Sequence, residues 1–293
     1  MTVTPELQPE WNRIITDILR EFIDICQQQG YTYYVCGGTA IGAVRHHGLI
    51  PWDDDIDVFM PRPDYDKFLT FAKDYRSDRY ELLTPYTTKD YPMYFAKLCN
   101  RQTSLIENAD IPSLWGLYID IFPLDGASAD RDEAVRDQHR LRHEMNKLEA
   151  ISTHASFGAY LSLLKDPHSW GRFVRKTIGF MARKPYRHWI IQRMERICRR
   201  YDFSSSANVM AYCGSYGNRE VFPKQWLEGT VSMPFGPLTV CLFSGYDGYL
   251  HQLYGDYMQL PPVEKRVSHH TKAYFNLKRR ISQKEFDDIL QHR

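Results

Sequence analysis

The stretch Val35-Cys36-Gly37-Gly38-Thr39-Ala40-Ile41-Gly42-Ala43-Val44-Arg45, followed by Ile50-Pro51-Trp52-Asp53-Asp54-Asp55-Ile56-Asp57-Val58-Phe59, constrains this chain more than any other. Its first half reads as an apolar strand end, a glycine pair and a helix start. Its second half reads as a strand with carboxylates at alternate positions. That alternation predicts Asp53, Asp55 and Asp57 on one face and Asp54 on the other. Like charges at such spacing repel, and a hard divalent cation with carboxylate and water ligands is the usual remedy. The glycine pair lets the backbone approach a ligand closely. The helix after it offers free N–H groups and a positive dipole end to an anion, and Thr39 adds a hydroxyl donor or a cap. Metal-holding carboxylates that face a phosphate-cradling turn point to phosphoryl transfer. The plain alternative is a glycine turn followed by a solvated acidic loop.

The run from Gly37-Gly38-Thr39 to Asp55-Ile56-Asp57 resembles the signature of the polymerase-beta-type nucleotidyltransferase superfamily. The longer run from Gly37 through Arg45 and His46-His47-Gly48-Leu49-Ile50-Pro51-Trp52 to Asp57 resembles, more closely, the LicD family of phosphocholine transferases and its fukutin-type relatives. The resemblance implies an α/β (α+β) fold with a nucleotidyltransferase-type mixed sheet. It also implies a magnesium (or manganese) ion and a CDP-linked alcohol as donor, CDP-choline above all. Carried onto this sequence, it gives Asp55 and Asp57 as the pair that holds the metal, with Asp53 nearby as a further ligand and Asp120 as the third, acceptor-side carboxylate of the site and general base. Gly37, Gly38 and Thr39 are then expected to contact donor phosphates, with Arg45 and Lys97 adding positive charge. The acceptor it implies is a cell-surface glycan or its lipid-linked precursor: teichoic acid, lipopolysaccharide or capsule.

Asp120 has support from the residues alone. In Leu117-Tyr118-Ile119-Asp120-Ile121-Phe122 it stands between large apolar neighbours, where an unpaired carboxylate is expensive to bury. Asp125, in Leu124-Asp125-Gly126, reads instead as a local turn-former. Lys97 lies on a β-prone run, Tyr94 to Cys99, and is either a phosphate partner or a solvated lysine. Arg266 and His269, after Tyr254-Gly255-Asp256-Tyr257-Met258-Gln259-Leu260-Pro261-Pro262, either reach substrate phosphates or pin the C-terminal segment.

Other classes find little support. Lys+Arg 37 against Asp+Glu 36 gives a net charge of +1, so no global attraction to nucleic acid is implied. Between Arg172 and Arg200, however, ten cations face the single acid Glu195, with Phe173, Phe180 and Trp189 interleaved. Such a region either lies on an anionic membrane surface or forms a solvated helical face. The six cysteines form no CxxC pair and, with no signal peptide, predict reduced thiols and a cytoplasmic protein, at most peripheral on the inner face of the membrane. Neither His46-His47 nor His269-His270 has zinc spacing. No P-loop or GxSxG occurs.

Residues 9–29 show helical apolar spacing ended by Gly30, and Tyr31 to Cys36 reads as the first strand. A helix is expected from Arg62 to Tyr75, strands at Tyr80–Leu83 and Met210–Gly214, and a hairpin across Pro234-Phe235-Gly236-Pro237. Pro167 and Pro185 are expected at helix starts. The domain expectation is a catalytic core over 1–128 and, over 129–293, a helical region plus a C-terminal segment that completes the site. Two other functions stay open: transfer of a nucleoside monophosphate to a small acceptor, and a non-catalytic membrane-surface or glycan-binding role on a degenerate transferase fold.

Overall fold

A computed structural model describes residues 2–107, 113–152, 170–268 and 272–291. Helix α1 (Gln8–Gln29) buries Trp11, Ile14, Ile15, Ile18, Leu19, Phe22 and Cys26 along one side. Gly30 closes it at φ 68°, a left-handed conformation that glycine adopts without a Cβ penalty. Strand β1 (Tyr34–Val35) then leads into α2 (Gly37–Ile41), which a π-helical turn, Gly42–His46, continues.

The strands β2 (Asp57–Pro61), β3 (Tyr80–Leu83), β4 (Ala96–Asn100) and β6 (Tyr118–Ala127) join β1 in the order β1-β2-β6-β4-β3. Along that path β2 and β6 run parallel and the other neighbours antiparallel, so the α/β class with a mixed sheet holds. Register decides the chemistry. Asp57 lies opposite Asp120, which lies opposite Lys97; two residues on, Phe59 lies opposite Phe122. Because side chains alternate between faces, these polar and aromatic residues share one face of the sheet. Val58, Met60, Ile119, Ile121 and Leu98 are fully buried on the other. Helices α1 and α3 (Arg62–Asp74) cover that apolar face, with Phe22 and Phe68 edge to face at 5.9 Å.

The later chain wraps this core. Strand β5 (Ser104–Ile106) pairs with the returning β11 (Tyr274–Asn276), which α7 (Gln283–Gln291) follows. Helices α4 (Arg131–Ser152) and α5 (Trp170–Cys198) close a second apolar cluster: Leu141, Leu148, Ile190, Met194 and Cys198 meet Met210, Tyr212 and Val221. Strands β7 (Asn208–Met210) and β8 (Val221–Pro223) extend the sheet from the end of β6. The expected hairpin forms as β9 (Thr230–Phe235) and β10 (Leu238–Phe243), and α6 (Tyr246–Tyr254) follows it.

Four expectations change. The acidic run is a strand only from Asp57, because side chains of α1 occupy carbonyls upstream: Trp11 Nε1 donates to Asp54 O at 2.8 Å and Gln8 Nε2 to Asp53 O at 3.2 Å. Asp125 is no turn-former; it lies within β6, 1% exposed, and accepts from both Nε and Nη2 of Arg62, the latter at 2.8 Å. Pro185 lies inside α5 rather than at a helix start, and burial of Ile190, Ile191, Met194 and Cys198 against α4 outweighs the lost hydrogen bond. The strand expected over Met210–Gly214 lies earlier, at Asn208–Met210, where β6 and β8 supply its partners. Pro167 lies outside the described residues.

Much of the described basic run is engaged within the chain. Arg187 donates to Pro85 O (3.0 Å) and Tyr91 O (2.8 Å), Arg193 reaches Glu144 at 3.1 Å, Arg199 reaches Asp66 at 2.7 Å, and Arg200 meets Asp137 and Glu133 at 2.9 and 2.7 Å. Lys184 and Arg196 are exposed. Among the described residues no helix is long and apolar enough to cross a membrane.

Candidate active site

A cleft of about 480 Å³ opens on the polar face of the sheet. Gly37 and Gly38, the carboxylates of Asp53, Asp55 and Asp57, and the rings of Phe59 and Phe122 line it. Trp52, Val267 and Ser268 contribute as well, as do Ser215, Tyr216, Glu220, Tyr249 and Tyr254 from the later chain.

Conformation favours glycine at 37, and close approach favours it at 38. Gly37 has φ 54°, and a Cβ there would lie 3.5 Å from the Tyr254 hydroxyl and 3.7 Å from Asp57 Oδ2. A Cβ on Gly38 would meet Asp53 Oδ2 at 2.8 Å, closer than real Cβ contacts come. Thr39 is buried and serves Asp57 instead of capping α2: the Asp57 N–H donates to Thr39 Oγ1 at 2.9 Å. Cys36 N–H donates to Asp57 O at 3.1 Å, and Asp120 N–H to Ile56 O at 2.9 Å. The turn and both acid-bearing strands are thereby fixed to one another through main-chain bonds.

The acidic run divides as its alternation predicts. Asp53, Asp55 and Asp57 face the cleft. Asp54 points away, 4% exposed, and its Oδ2 accepts from Ser268 Oγ at 2.7 Å and from the buried Lys272 ammonium. Oxygens of Asp53, Asp54 and Asp55 lie within 4.8 Å of one another, a group that could hold a metal ion. Since Lys272 and Ser268 hold the Asp54 carboxylate, Asp53 and Asp55 are the members of that group turned to the cleft, with Asp57 beyond them.

Asp120 and Lys97 stand beside Asp57 on the same face of the sheet, and neither is among the residues that line the cleft. The Lys97 ammonium, 1% exposed, lies 2.6 Å from Asp120 Oδ1 and 3.3 Å from the centre of the Tyr118 ring, with Phe95 and Trp115 around it. Lys97 therefore stands behind Asp120 and does not line the cleft. Arg45 is turned toward the C-terminal segment, where its Nη1 donates to the carbonyls of Tyr257 and Gln259, the latter at 3.3 Å. Arg266 stacks 5.6 Å over Trp52 at the rim and donates to Pro261 O at 2.8 Å. His269 lies outside the described residues.

Electrostatically the site carries an excess of negative charge. Burial first, then Asp55, push the Asp53 carboxyl up to about 8. Burial, followed by Asp55 and Asp120, holds Asp57 well above the usual carboxylate range. Asp120 is raised to about 6 by burial, with Lys97 pulling the other way. Carboxylates packed this closely, with one buried lysine beside them, fit a hard divalent cation, which takes oxygen ligands and cancels their repulsion.

Residues 30–157 match the family described as LicD/FKTN/FKRP, nucleotidyltransferase domain. A lipopolysaccharide cholinephosphotransferase, LicD, of Haemophilus influenzae is 26% identical over 275 residues, which is 92% of this chain and 97% of that one. Residues 30–157 belong to the LicD family. Uncharacterised proteins of Rickettsia prowazekii and Rickettsia typhi are 34% identical over 47 residues, 16% of this chain and 18% and 15% of theirs. The chain also holds cleft residues that sequence reasoning did not single out. Glu220 sits in Gly217-Asn218-Arg219-Glu220, where no local pattern marks it. Tyr254 belongs to a stretch noted for its resemblance, but its place beside Gly37 shows only in three dimensions.

Proposed function

We propose that this chain transfers a phospho-alcohol, phosphocholine above all, from a CDP-linked donor to a hydroxyl of a cell-surface glycan or its lipid-linked precursor. The enzyme class follows from family membership: a transferase of phosphate-containing groups. The observation that carries the reading is the sheet register that sets Asp57, which lines the cleft beside the Gly37-Gly38 turn, directly opposite Asp120 on the neighbouring strand. The relative of similar length is a lipopolysaccharide cholinephosphotransferase, which supports phosphocholine as the group moved.

In this mechanism an acceptor oxygen attacks the donor phosphorus that bears the alcohol. The bond from that phosphorus to the bridging oxygen breaks, and CMP leaves with the electron pair. Asp120, raised to about 6, is matched to accept the hydroxyl proton near neutral pH. Lys97 anchors Asp120 Oδ1 and fixes the direction of its carboxylate. Gly37 and Gly38 leave room for donor phosphate oxygens against the backbone. Asp53, Asp55 and Asp57 would hold magnesium, which when bound supplies charge neutralisation at the phosphates.

Product analysis tests the reading. Incubation with CDP-choline, magnesium and a glycan acceptor is expected to release CMP and leave phosphocholine on the glycan. A nucleotide left on the acceptor, with pyrophosphate released from a nucleoside triphosphate, would replace it with nucleotidyl transfer.

A further inference from the structure

The acids of the metal-fitting set do not exhaust the charge in the cleft. Glu220 contributes a carboxylate at 3% exposure from the turn before β8. Backbone N–H groups of Tyr216 and Ser215 hold it, the former on Oε1 at 3.3 Å. A Cβ on Gly214 would overlap Oε1, so the glycine lets the carboxylate pack against the 214–216 loop. Helix α4 holds that loop in turn: Gln138 Nε2 and Arg142 Nη2 donate to Gly214 O at 2.9 and 2.7 Å. No salt bridge to Glu220 forms among the described residues. Arg219, the nearest cation in sequence, is turned to Leu253 O at 2.6 Å and to the Tyr216 ring at 5.2 Å.

Two aromatic rings connect this acid to the reaction centre. Tyr216 and Tyr254 meet edge to face, their centroids 5.2 Å apart. The Tyr254 hydroxyl approaches Gly37, whose other neighbour is Asp57 Oδ2. The sequence Asp57, Gly37, Tyr254, Tyr216, Glu220 therefore leads from the phosphate turn to a buried carboxyl that burial raises to about 7, a group that a bound cation would hold ionised.

We infer that Glu220, Tyr216 and Tyr254 form a subsite for a quaternary ammonium headgroup on the transferred phosphate. The inference rests on the transferase reading above and adds which residues select the donor alcohol. A quaternary ammonium donates no hydrogen bond, so it is recognised by opposite charge and by aromatic faces, both present here. A neutral polyol headgroup can donate a hydrogen bond to the carboxylate, but it leaves the charge uncompensated and gains no cation–π attraction from the rings.

The test is equilibrium binding of CDP-choline, CDP-glycerol and CMP, with magnesium, to wild type, Glu220→Gln and Tyr216→Leu. Glu220→Gln keeps the shape and removes a buried charge; Tyr216 is 38% exposed, so its replacement tests the subsite without a core cavity. Both variants are expected to lower the preference for CDP-choline over CDP-glycerol by about tenfold or more, with CMP affinity unchanged. Parallel loss of CMP affinity would assign these residues to the base and overturn the inference. An unchanged preference in both variants would overturn it as well. If wild type binds CMP but neither CDP-alcohol, the transferase reading itself fails and the subsite with it.

Discussion

Asp57 and Asp120 stand directly opposite each other on parallel neighbouring strands, and Lys97 stands opposite Asp120 on the next strand. Like charges in register across a sheet destabilise it. The ion pair of Lys97 with Asp120, at 2.6 Å, relieves one side of the conflict. The other side, with Asp53 and Asp55 close by, is left for a cation to relieve.

Asp57→Asn is expected to abolish turnover while raising the melting temperature of the metal-free protein, because it removes a buried charge from among like charges. Assay and thermal melt on the same preparation check both. Retained activity with a normal melt would sink the metal assignment.

Lys97→Met is expected to destabilise by about 3–5 kcal/mol, since it strands Asp120 without its partner. Lys97→Arg should not restore stability, because Tyr118, 3.3 Å from the ammonium, with Phe95 and Trp115 leaves no room for a guanidinium. Denaturant melts of the two variants measure this.

Gly38→Ala drives a Cβ against Asp53 Oδ2 and is expected to cost about tenfold or more in turnover with little loss of stability. Gly37→Ala adds backbone strain at φ 54°, about 1–2 kcal/mol, and should lower both. Steady-state kinetics beside thermal melts separate the two effects.

The centre of the candidate cleft is legible in the sequence because its determinants are local. Gly37-Gly38 and the alternating acids lie within about twenty residues, and period-two alternation told Asp54 from its neighbours even where no strand forms. Asp120 was legible as a charge in an apolar run. What stayed hidden depends on register and on chain return. Lys97 reads as a phosphate partner until β4 is placed beside β6, which aims its ammonium at Asp120. Asp125 reads as a turn residue until Arg62, sixty-three positions earlier, is found on it. Lys272 reaches Asp54 across 218 positions, and no spacing encodes that contact.

That pair gives a further prediction. Lys272→Met removes the partner of a buried carboxylate and is expected to cost about 3–5 kcal/mol, with faster proteolysis of the C-terminal segment. Asp54→Asn should do the same. A double variant, Asp54→Asn with Lys272→Met, should lose less than the sum of the two.

The pH dependence of stability follows from the raised acids. Asp120 at about 6 and Asp53 at about 8 are raised above their ordinary value of 3.8, so each binds its proton more tightly folded than unfolded. The stability they contribute is fully present below about pH 4, and it is lost as pH rises through 6 and then 8. The metal-free protein should therefore melt at progressively lower temperature between pH 4 and 8. Saturating magnesium should flatten that slope. Melting curves with chelator or with magnesium, in matched ionic strength, test the sign.

The most direct measurement of the central claim is calorimetric titration of CDP-choline into the protein with and without magnesium, repeated on Asp57→Asn. The account predicts binding that depends on magnesium in the wild type and loses that dependence in the variant. Binding of equal strength in all four titrations would contradict it, for then neither the carboxylates in register nor the ion they are arranged to hold takes part in recognising the donor.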